Sequence, residues 1–382
     1  MSVYLITFFI SYIFCIIGER LFNKEKNIKL AKFFLLLSVL IVAVMAGLRD
    51  NSVGSDTISY TTYYIEYGSR FKTLGEFMRF FAVYEPGFNI FSYCIGILFN
   101  HSSHWFLFWC AILIYGFTMK TLVFYQKNCS ISMVWLFFLM LSCTEALNIT
   151  RHYMALALAA YAFTYTFENK HKQFTLWTII AMSFHVTAMV NFLIFVVWKI
   201  IRKRDTILFK MIIVMGTITI MFLYSDILRI LSAFSFIGTK AESYINLRSF
   251  SFQINPFLIR LPFLILILVN LKEFTSRNRI DSEGNYQIDD HFGDFLFLMI
   301  IVDCIVAQMR GLGETLYRLT AFFSIFKYIS YSMVIKMSPF AINRLAKRIM
   351  AYVFMIIVFM YWVVELNSGL IYPYVSDVIG IM

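Results

Sequence analysis

The sequence predicts an all-α fold, a polytopic bundle of transmembrane helices in a chain of 382 residues. Hydrophobic residues make up 60% of the chain and charged residues only 14%, whereas a soluble globular protein has about 25% charged residues. Apolar stretches recur close to the roughly 20 residues that a helix needs to cross hydrocarbon. Backbone groups in lipid must be paired internally, and the alternating pattern of barrel strands does not occur, so helices are expected.

The first apolar run covers residues 1–17 and is followed by Arg20. Because no basic region precedes this run, we expect an uncleaved first span with its N-terminus outside, and not a signal peptide. Further apolar stretches cover residues 30–47, 105–124, 256–269, 292–307 and 349–364. Together with shorter apolar segments they predict about 11 to 13 membrane helices in a single transmembrane domain over residues 1–382.

Short basic loops predict the orientation of these helices. Cytoplasmic loops carry an excess of Lys and Arg, which places four segments inside: 20–32, 199–210, 272–279 and 336–348. Residues 49–85 and 225–255 then form external loops, and the segment after Glu365 is also outside. The net charge of +11 comes from such loops and not from a basic face with interleaved aromatic residues. We therefore expect no nucleic-acid partner.

The lengths of segments 85–100 and 174–198 do not match that of a single membrane-spanning helix. Two topologies are therefore open. If each segment crosses once, Arg151 falls inside and four lysines fall outside, namely Lys120, Lys127, Lys170 and Lys172. If each is a re-entrant or broken hairpin, the lysines move inside and Arg151 moves outside. We favour the hairpins, because they obey the positive-inside rule and because broken helices are tolerated where protein buries them.

The external segment 49–85 has two runs with helical spacing. Tyr60, Tyr63, Tyr64 and Tyr67 follow one another at intervals of three and four residues, as do Leu74, Phe77, Met78 and Phe81. Two amphipathic helices lying in the membrane interface fit this pattern. Most of these tyrosines fit the aromatic belt of a membrane protein, and stacking on sugar rings stays open. The six cysteines have no ligand-like spacing, so we expect neither a metal site nor disulfides.

Ionisable residues within apolar sequence are candidates for function, because a charge at the bilayer centre costs about 2.5 to 3.5 kcal/mol on insertion scales. The set comprises Arg49, Asp50, Asp56, Glu85, Glu145, Asn148, Arg151, His152, His185, Asp303, Arg310, Glu314 and Arg318. Arginine stays charged in low dielectric and its planar fork binds phosphate bidentately. Arg49, Arg151 and Arg318 therefore suit a lipid-linked diphosphate. A purely structural Glu314–Arg318 pair, one helical turn apart, is equally open.

His185 lies in the middle of segment 174–198, within Ser183-Phe184-His185-Val186-Thr187. A lone membrane histidine is usually a hydrogen-bonded packing residue. At the apex of a broken hairpin, however, its imidazole could reach the external arginines and act as a base near neutral pH. Asp56 and Glu85 are rival bases, although Glu85-Pro86-Gly87 also has the pattern of a helix start.

Short motifs then follow one another in a characteristic order. They are Arg49 with Gly54-Ser55-Asp56-Thr57 and Tyr60, Glu85-Pro86-Gly87-Phe88, Arg151 with Ala155, and Phe184-His185 with Ala188. In this order they resemble the EpsG-like family of bacterial polysaccharide polymerases, which is grouped with the Wzy O-antigen and capsule polymerases. Beyond them only Tyr317-Arg318, ahead of an apolar run, is similar.

The resemblance implies a membrane glycosyltransferase of the GT-C type that uses no nucleotide sugar, no cofactor and no metal. Such an enzyme moves a glycan from undecaprenyl diphosphate onto another lipid-linked repeat unit. The reaction takes place at the outer face of the bacterial cytoplasmic (inner) membrane and builds O-antigen, capsule or exopolysaccharide. The partners expected are a lipid-linked oligosaccharide donor and acceptor, membrane lipids, a chain-length regulator and a flippase.

The resemblance and the chemistry of the side chains together give three sets of candidate residues. The catalytic candidates are His185, Asp56 and Glu85, with His185 favoured as the base and Asp56 next. The candidates for binding diphosphate are Arg49, Arg151 and Arg318. The other candidates for binding substrate are Tyr60, Glu145, Asn148, Arg310, Glu314 and Tyr317.

Two other functions stay open at this point. A flippase or transporter of lipid-linked oligosaccharide would favour inverted repeats and a binding site at the midplane, whereas the candidate residues gather toward one face. A membrane O-acyltransferase could use His185 as a base on a sugar hydroxyl.

Overall fold

The structure, a computed structural model, describes residues 1–24, 27–204, 206–224, 226, 251–275, 291–337 and 341–381. Only the backbone is described at Glu273, Glu314, Thr315, Met337 and Ala341. Most of the predicted external loop 225–255, and residues 276–279 of a predicted basic loop, lie outside these ranges. Within them every regular element is a helix, and one isolated β-bridge joins Ser376 to Ile381.

The α-helices follow one another along the chain with short 3-10 and π-helical segments between them. The first eleven are α1 Ser2–Asn23, α2 Ile28–Leu48, α3 Leu74–Phe80, α4 Pro86–Leu98, α5 Ser103–Phe124, α6 Ile131–Leu141, α7 Cys143–Asn148, α8 Thr150–Phe167, α9 His171–Phe184, α10 Val190–Lys203 and α11 Ile207–Phe222. The next described are α12 Ile254–Val269, α13 Leu271–Thr275, α14 Phe292–Val306, α15 Glu314–Tyr317, α16 Ala321–Met337 and α17 Ala341–Met360.

Five helical stretches among the described residues are long and apolar enough to cross a membrane: Ser2–Asn23, Ile28–Leu48, Ser103–Phe124, Phe292–Gly311 and Ile342–Glu365. Shorter apolar helices accompany them at Pro86–Leu98, Ile131–Leu141, Ile207–Phe222 and Ile254–Val269. The predicted all-α, polytopic membrane fold is confirmed. The predicted number of about 11 to 13 membrane helices and the GT-C-like architecture stay predictions.

The chain divides into two compact units. The first comprises Met1–Leu193 and Ser338–Met382, and the second comprises Ile194–Met337. The prediction of a single domain over residues 1–382 stays a prediction.

One end of the first unit is organised around Glu19, near the end of α1. The Glu19 carboxylate accepts hydrogen bonds from the backbone N–H groups of Ile131 and Ser132, at 2.8 and 3.0 Å. These groups have no partner within α6, since the first N–H groups of a helix cannot bond inside it. Glu19 therefore caps α6, and we call this region of the first unit the Glu19 end.

The C-terminal segment marks the opposite end, which we call the His185 end. The hydroxyl of Tyr4, at the start of α1, donates to the Ile371 carbonyl over 2.7 Å. The Gly54 N–H donates to the Leu370 carbonyl over 2.9 Å. The start of α1, the loop after α2 and the segment after α17 thus meet at one end of the unit. Their predicted external placement stays a prediction.

Helix α4 does not pass from one end to the other. It begins after Glu85 and ends before a turn in which the His101 ring contacts the Ile65 carbonyl at 3.1 Å. Just beyond, the His104 ring contacts the Gly47 carbonyl at 2.9 Å. Its 13 residues rise about 20 Å, less than the roughly 30 Å of hydrocarbon. Helix α4 therefore lies at the His185 end.

Helices α9 and α10 form a hairpin with its apex at His185. The Asn191 side chain donates to the Thr178 hydroxyl over 2.9 Å, and the rings of Phe174 and Phe192 lie 5.6 Å apart. Thr178 and Asn191 lie seven and six residues from the apex, and Phe174 and Phe192 lie eleven and seven residues from it. The start of α10 therefore runs back along α9. Residues 174–193 of the first unit thus turn back on themselves at His185, and the predicted hairpin topology of segment 174–198 stays a prediction.

Helix α8 connects the two ends of the first unit. It starts at the His185 end with Thr150 and finishes at Phe167, whose ring packs 5.9 Å from that of Tyr125. Tyr125 precedes the segment that Glu19 caps. Lys127 and Lys170 thus lie toward the Glu19 end and Arg151 at the His185 end. Which side of the membrane each end faces stays a prediction.

The second unit buries an ionic cluster between three helices. Arg260 of α12 binds Asp303 of α14 through two nitrogens, at 2.8 and 3.2 Å. Lys327 of α16 lies 3.4 Å from the same carboxylate. All three side chains are nearly inaccessible to solvent. A paired and hydrogen-bonded arrangement is what allows charges to stay in such a dry interior.

Candidate functional site

The centre of the candidate site is an ion pair between Glu85 and Arg151. Pro86 occupies the first turn of α4, where its missing N–H is not needed, and Glu85 is the N-cap residue immediately before it. Arg151 is the second residue of α8. Its Nη1 lies 2.6 Å from Oε2 of Glu85, with side-chain exposures of 16% and 11%. This ion pair therefore links the start of α4 to the start of α8.

The guanidinium of Arg151 has further capacity for binding. Its central carbon lies 4.6 Å from the centre of the Tyr84 ring and 5.8 Å from that of Phe88. Its Nε is buried and makes no hydrogen bond to any residue that the structure describes. A charged donor held over aromatic faces and left with a spare N–H is suited to bind an anion.

Glu85 also connects this ion pair to the apex of the hairpin. Its second carboxylate oxygen, Oε1, accepts a hydrogen bond from the Val186 N–H over 3.2 Å. One carboxylate thus contacts α8 and the turn after α9. It brings together Glu85, Arg151 and His185, three residues that the sequence predicts for the same site.

His185 ends α9 in an extended conformation, with φ −158° and ψ 124°, and precedes the 3-10 segment Val186–Met189. Its Nδ1 lies 3.3 Å from the Thr187 N–H nitrogen and 2.7 Å from the Thr187 hydroxyl oxygen. The same hydroxyl lies 3.2 Å from Nδ1 of His152. The two imidazole rings are perpendicular, with centroids 5.0 Å apart.

The loop that carries Asp56 is fixed beside the start of α8. The Asn148 side-chain oxygen accepts from the Asp56 N–H over 2.9 Å and from the Ser55 hydroxyl over 3.1 Å. Gly54 has a φ of +103°, which residues with a Cβ rarely adopt. These constraints place the half-buried Asp56 beside the helix junction that leads to Arg151. Asn148 therefore has a clear positional role at the site.

Glu145 lies near this junction as well. Its Oε2 accepts a hydrogen bond from the Tyr153 hydroxyl over 2.8 Å, so it connects α7 to the first turns of α8. The predictions that Glu145 and Asn148 bind substrate stay predictions.

Arg49 is placed differently from Arg151. It is only 2% exposed, and it donates to the carbonyls of Ala46 and Leu147 over 3.1 and 2.7 Å. These carbonyls belong to the last turns of α2 and α7, where helix carbonyls lack internal partners. Arg49 thus ties two helix ends together, which favours a structural role. Its predicted binding of diphosphate stays a prediction.

Tyr60 is also buried within the protein. It lies in the π-helical segment Ser59–Glu66, is 8% exposed, and packs 5.7 Å from the Phe88 ring. By contrast, Tyr63 of the same segment is 63% exposed. The predicted pair of short interfacial helices corresponds to this segment and to α3. Contact of Tyr60 with substrate stays a prediction.

Asp50 fixes the start of the loop at the His185 end. Its carboxylate accepts a hydrogen bond from the Ser52 N–H over 2.8 Å. That bond, with a second from the Ser52 hydroxyl, lowers the pKa of Asp50 below its ordinary value of 3.8. The carboxylate is therefore ionised at neutral pH and holds the turn that leads to Gly54.

The remaining predicted residues belong to the second unit. The guanidinium carbon of Arg310 lies 5.2 Å from the centre of the Tyr317 ring, and the Tyr317 hydroxyl lies 3.5 Å from Nη1 of Arg260. Arg318 begins the 3-10 segment Arg318–Thr320. The Glu314 side chain is outside the described part, so its pairing with Arg318 stays a prediction.

The site includes residues that the sequence did not assign to it. His152 stands beside Arg151 and was singled out as ionisable, but nothing in the sequence indicated its contact with Thr187. Thr187 follows His185 by two residues, the spacing at which a hydroxyl near a helix start can contact the cap residue. Tyr84 precedes Glu85 directly and lies under the Arg151 guanidinium.

The arrangement can bind an anion and accept a proton. Arg151 supplies a fixed cation, His152 and His185 supply imidazoles, and Asp56 and Glu85 supply carboxylates. In the described ranges, no three His, Cys, Asp or Glu side chains are grouped so that they could hold a metal ion.

Comparison with known proteins gives a family for the chain. No curated protein and no solved structure matches it significantly. The model of the EpsG family matches residues 32–376, a range that contains the ion pair, the hairpin apex and the Asp56 loop. Because this match covers nearly the whole sequence, the chain belongs to the EpsG family.

Proposed function

We propose that this membrane protein is a polysaccharide polymerase that joins undecaprenyl-diphosphate-linked oligosaccharide repeat units. The observation that carries the proposal is the convergence of Glu85, Arg151 and His185 at one end of the first unit. Membership of the EpsG family supports a function in polysaccharide synthesis. A cation with a spare donor, beside groups that can accept a proton, is what transfer of a glycan from a diphosphate requires.

In the proposed reaction a hydroxyl of the acceptor's terminal sugar attacks the anomeric carbon of the donor glycan. A new glycosidic C–O bond forms, and the bond between the anomeric carbon and the diphosphate oxygen breaks. The electron pair of the broken bond leaves with undecaprenyl diphosphate. The proton of the attacking hydroxyl passes to a base, for which His185 and Asp56 are the two candidates at this end.

Arg151 has the role of stabilising the leaving diphosphate. Negative charge grows on the leaving oxygen as the bond breaks, and a preorganised guanidinium stabilises such charge without reorganisation. Glu85 holds Arg151 through its carboxylate and is thereby engaged in a short ion pair. We assign Glu85 a positioning role and leave the proton to the other candidates.

We place this reaction at the outer face of the cytoplasmic membrane. Lys127 and Lys170 lie toward the Glu19 end, as does the basic segment that follows α1. Because basic loops stay in the cytoplasm, we place the Glu19 end on the cytoplasmic side. The His185 end is then external, which suits repeat units that have already been moved across the membrane. The product is O-antigen, capsule or exopolysaccharide, and a flippase and a chain-length regulator are the expected partners.

The test is polymer formation by the purified protein in lipid with one synthetic lipid-linked repeat unit. We expect a ladder of longer glycans and one released undecaprenyl diphosphate for each new bond. Movement of the lipid-linked unit across a vesicle without any new glycosidic bond would instead show a flippase. In cells, loss of a polymerase leaves a single repeat unit on the acceptor, whereas loss of a flippase leaves none.

A further inference from the structure

The Thr187 hydroxyl lies between two imidazoles, and its hydrogen bonds have a direction. A hydroxyl has one proton and two lone pairs, so it can donate to at most one of the two ring nitrogens and must accept from any other. The contacts are 2.7 Å to Nδ1 of His185 and 3.2 Å to Nδ1 of His152. At least one of the two histidines therefore donates to the hydroxyl through Nδ1.

A second contact decides which histidine accepts. The backbone N–H of Thr187 also points at Nδ1 of His185, over 3.3 Å, in the manner of an N-capped helix start. A backbone N–H can only donate, so Nδ1 of His185 is the acceptor. The Thr187 hydroxyl then donates to the same Nδ1 of His185 and shares that nitrogen's single lone pair with the backbone N–H, while the hydroxyl oxygen accepts a hydrogen bond from the Nδ1–H of His152.

The protonation of each neutral ring follows from this chain of donors. Neutral imidazole carries one proton, and the nitrogen that bears it is set by the hydrogen bond at the other nitrogen. His185 therefore carries its proton on Nε2, and His152 carries its proton on Nδ1. A base needs an available lone pair, but the Nδ1 lone pair of His185 already accepts from Thr187.

We propose that Thr187 and His152 hold His185 as the Nε2–H tautomer, so that His185 donates a hydrogen bond to the leaving diphosphate. This inference rests on the proposed function. It makes Thr187 and His152 positioning residues for His185, and it assigns the proton of the attacking hydroxyl to Asp56. In this scheme Arg151 and the Nε2–H of His185 both stabilise the leaving group, and the Asp56 carboxylate takes the proton from the acceptor.

Amide replacements at residue 185 test the donor role. The amide nitrogen of Gln can take the place of Nε2, whereas that of Asn takes the place of Nδ1, and neither amide is a base. We expect H185Q to stay within about tenfold of wild-type polymerisation and H185N and H185A to fall about a hundredfold, as on removal of a transition-state donor. Equal losses in H185Q and H185A, beside an active wild type, would overturn the inference but not the proposed function.

Substitutions at Thr187 test the positioning role. Val keeps the shape and the backbone N–H but removes the hydroxyl, and Ser keeps the hydroxyl. We expect T187V to lose about three- to tenfold in rate, the worth of one hydrogen bond, while T187S retains activity. In the H185Q background the same T187V change should have little further effect, because no imidazole is left to orient. A full additional loss there would contradict the proposed coupling.

A spectroscopic measurement reads the tautomer without relying on polymerase activity. Solid-state NMR of the protein in lipid, labelled with ¹⁵N-histidine, distinguishes protonated from unprotonated ring nitrogens. The signals of His185 are identified by their loss in H185Q, and those of His152 by their loss in H152Q. We expect neutral His185 to carry its proton on Nε2 and neutral His152 on Nδ1. The opposite tautomer at His185 would overturn the inference even if the wild type made polymer.

Discussion

Nη1 of Arg151 lies 2.6 Å from Oε2 of Glu85, although 66 positions separate the two residues in the chain. The pair joins the N-cap residue of α4 to the second residue of α8, and both helices start at the same end of the first unit. A fixed guanidinium at this point is the centre of the proposed chemistry, and its shape as well as its charge should matter.

The first prediction concerns that shape. Arg151→Lys keeps the charge but loses the planar fork and the spare Nε donor, so polymerisation should fall by about a hundredfold. The measurement is the rate of polymer formation by purified protein, with folding checked by thermal unfolding. Arg79→Lys is the control, because Arg79 is exposed on α3. Equal activity of the Arg151→Lys variant and wild type would remove Arg151 from the reaction.

The second prediction separates Arg49 from Arg151. Arg49→Ala leaves the Ala46 and Leu147 carbonyls without their donor in a buried position, so the free energy of unfolding should fall by about 3 kcal/mol. Thermal unfolding in detergent measures this loss, with Arg79→Ala as the control. A folded Arg49→Ala variant of normal stability that fails to bind the lipid-linked donor would instead support the predicted diphosphate contact.

The third prediction concerns the backbone of the Asp56 loop. Any other residue at position 54 would have to adopt a φ near +103°, and its Cβ would crowd the Thr57 hydroxyl. Gly54→Ala should therefore lower polymerisation about tenfold or more by displacing Asp56, with a strain of roughly 1 to 2 kcal/mol. Gly75→Ala is the matched control, because a Cβ there meets nothing within 4 Å. Similar activity of the two variants would argue that Asp56 need not be held.

The fourth prediction concerns topology. In a variant without native cysteines, Ser52→Cys should react with an impermeant thiol reagent in intact cells, and Lys170→Cys should react only after permeabilisation. Both positions are exposed, so access is decided by the side of the membrane. Labelling of Lys170→Cys in intact cells would contradict the proposed orientation and place the His185 end in the cytoplasm.

The fifth prediction concerns the ionic cluster of the second unit. Asp303→Asn leaves Arg260 and Lys327 as buried cations without their carboxylate, which should destabilise the protein by about 3 to 5 kcal/mol. Adding Lys327→Met removes one of those cations, so the double variant should be more stable than Asp303→Asn alone. Thermal unfolding of the three proteins measures the difference. A double variant less stable than the single one would show that Lys327 acts by packing alone.

The sequence predicted the membrane class because lipid imposes a simple rule, that spanning helices are long and apolar. It also singled out Glu85, Arg151 and His185, which are charged or polar within apolar sequence and which the structure brings together; their roles stay predictions. The two topologies could not be separated by hydropathy, because α4 and α9 have lengths that fit neither a span nor a loop. The long-range contacts of His101 and Asn191 favour the hairpins, and the topology itself stays a prediction.

The roles of the arginines and histidines were harder to predict. Arg49 and Arg151 have the same chemistry, and only their tertiary partners, carbonyl oxygens in one case and a carboxylate in the other, distinguish them. In the same way, the proton positions of His185 and His152 depend on the place of one hydroxyl. Such directional detail is set by packing and is not contained in the order of residues along the chain.

The contacts of the C-terminal segment also limit when the site can form during biosynthesis. The Tyr374 hydroxyl bonds to the Met45 carbonyl across 329 positions of sequence, and Gly54 bonds to Leu370. The Asp56 loop leaves the ribosome long before Leu370, which binds it, has been translated. The nascent protein should therefore insert its helices without catalytic competence until residues 367–376 have been translated and released into the membrane. A chain still bound to the ribosome would thus lack a formed candidate site.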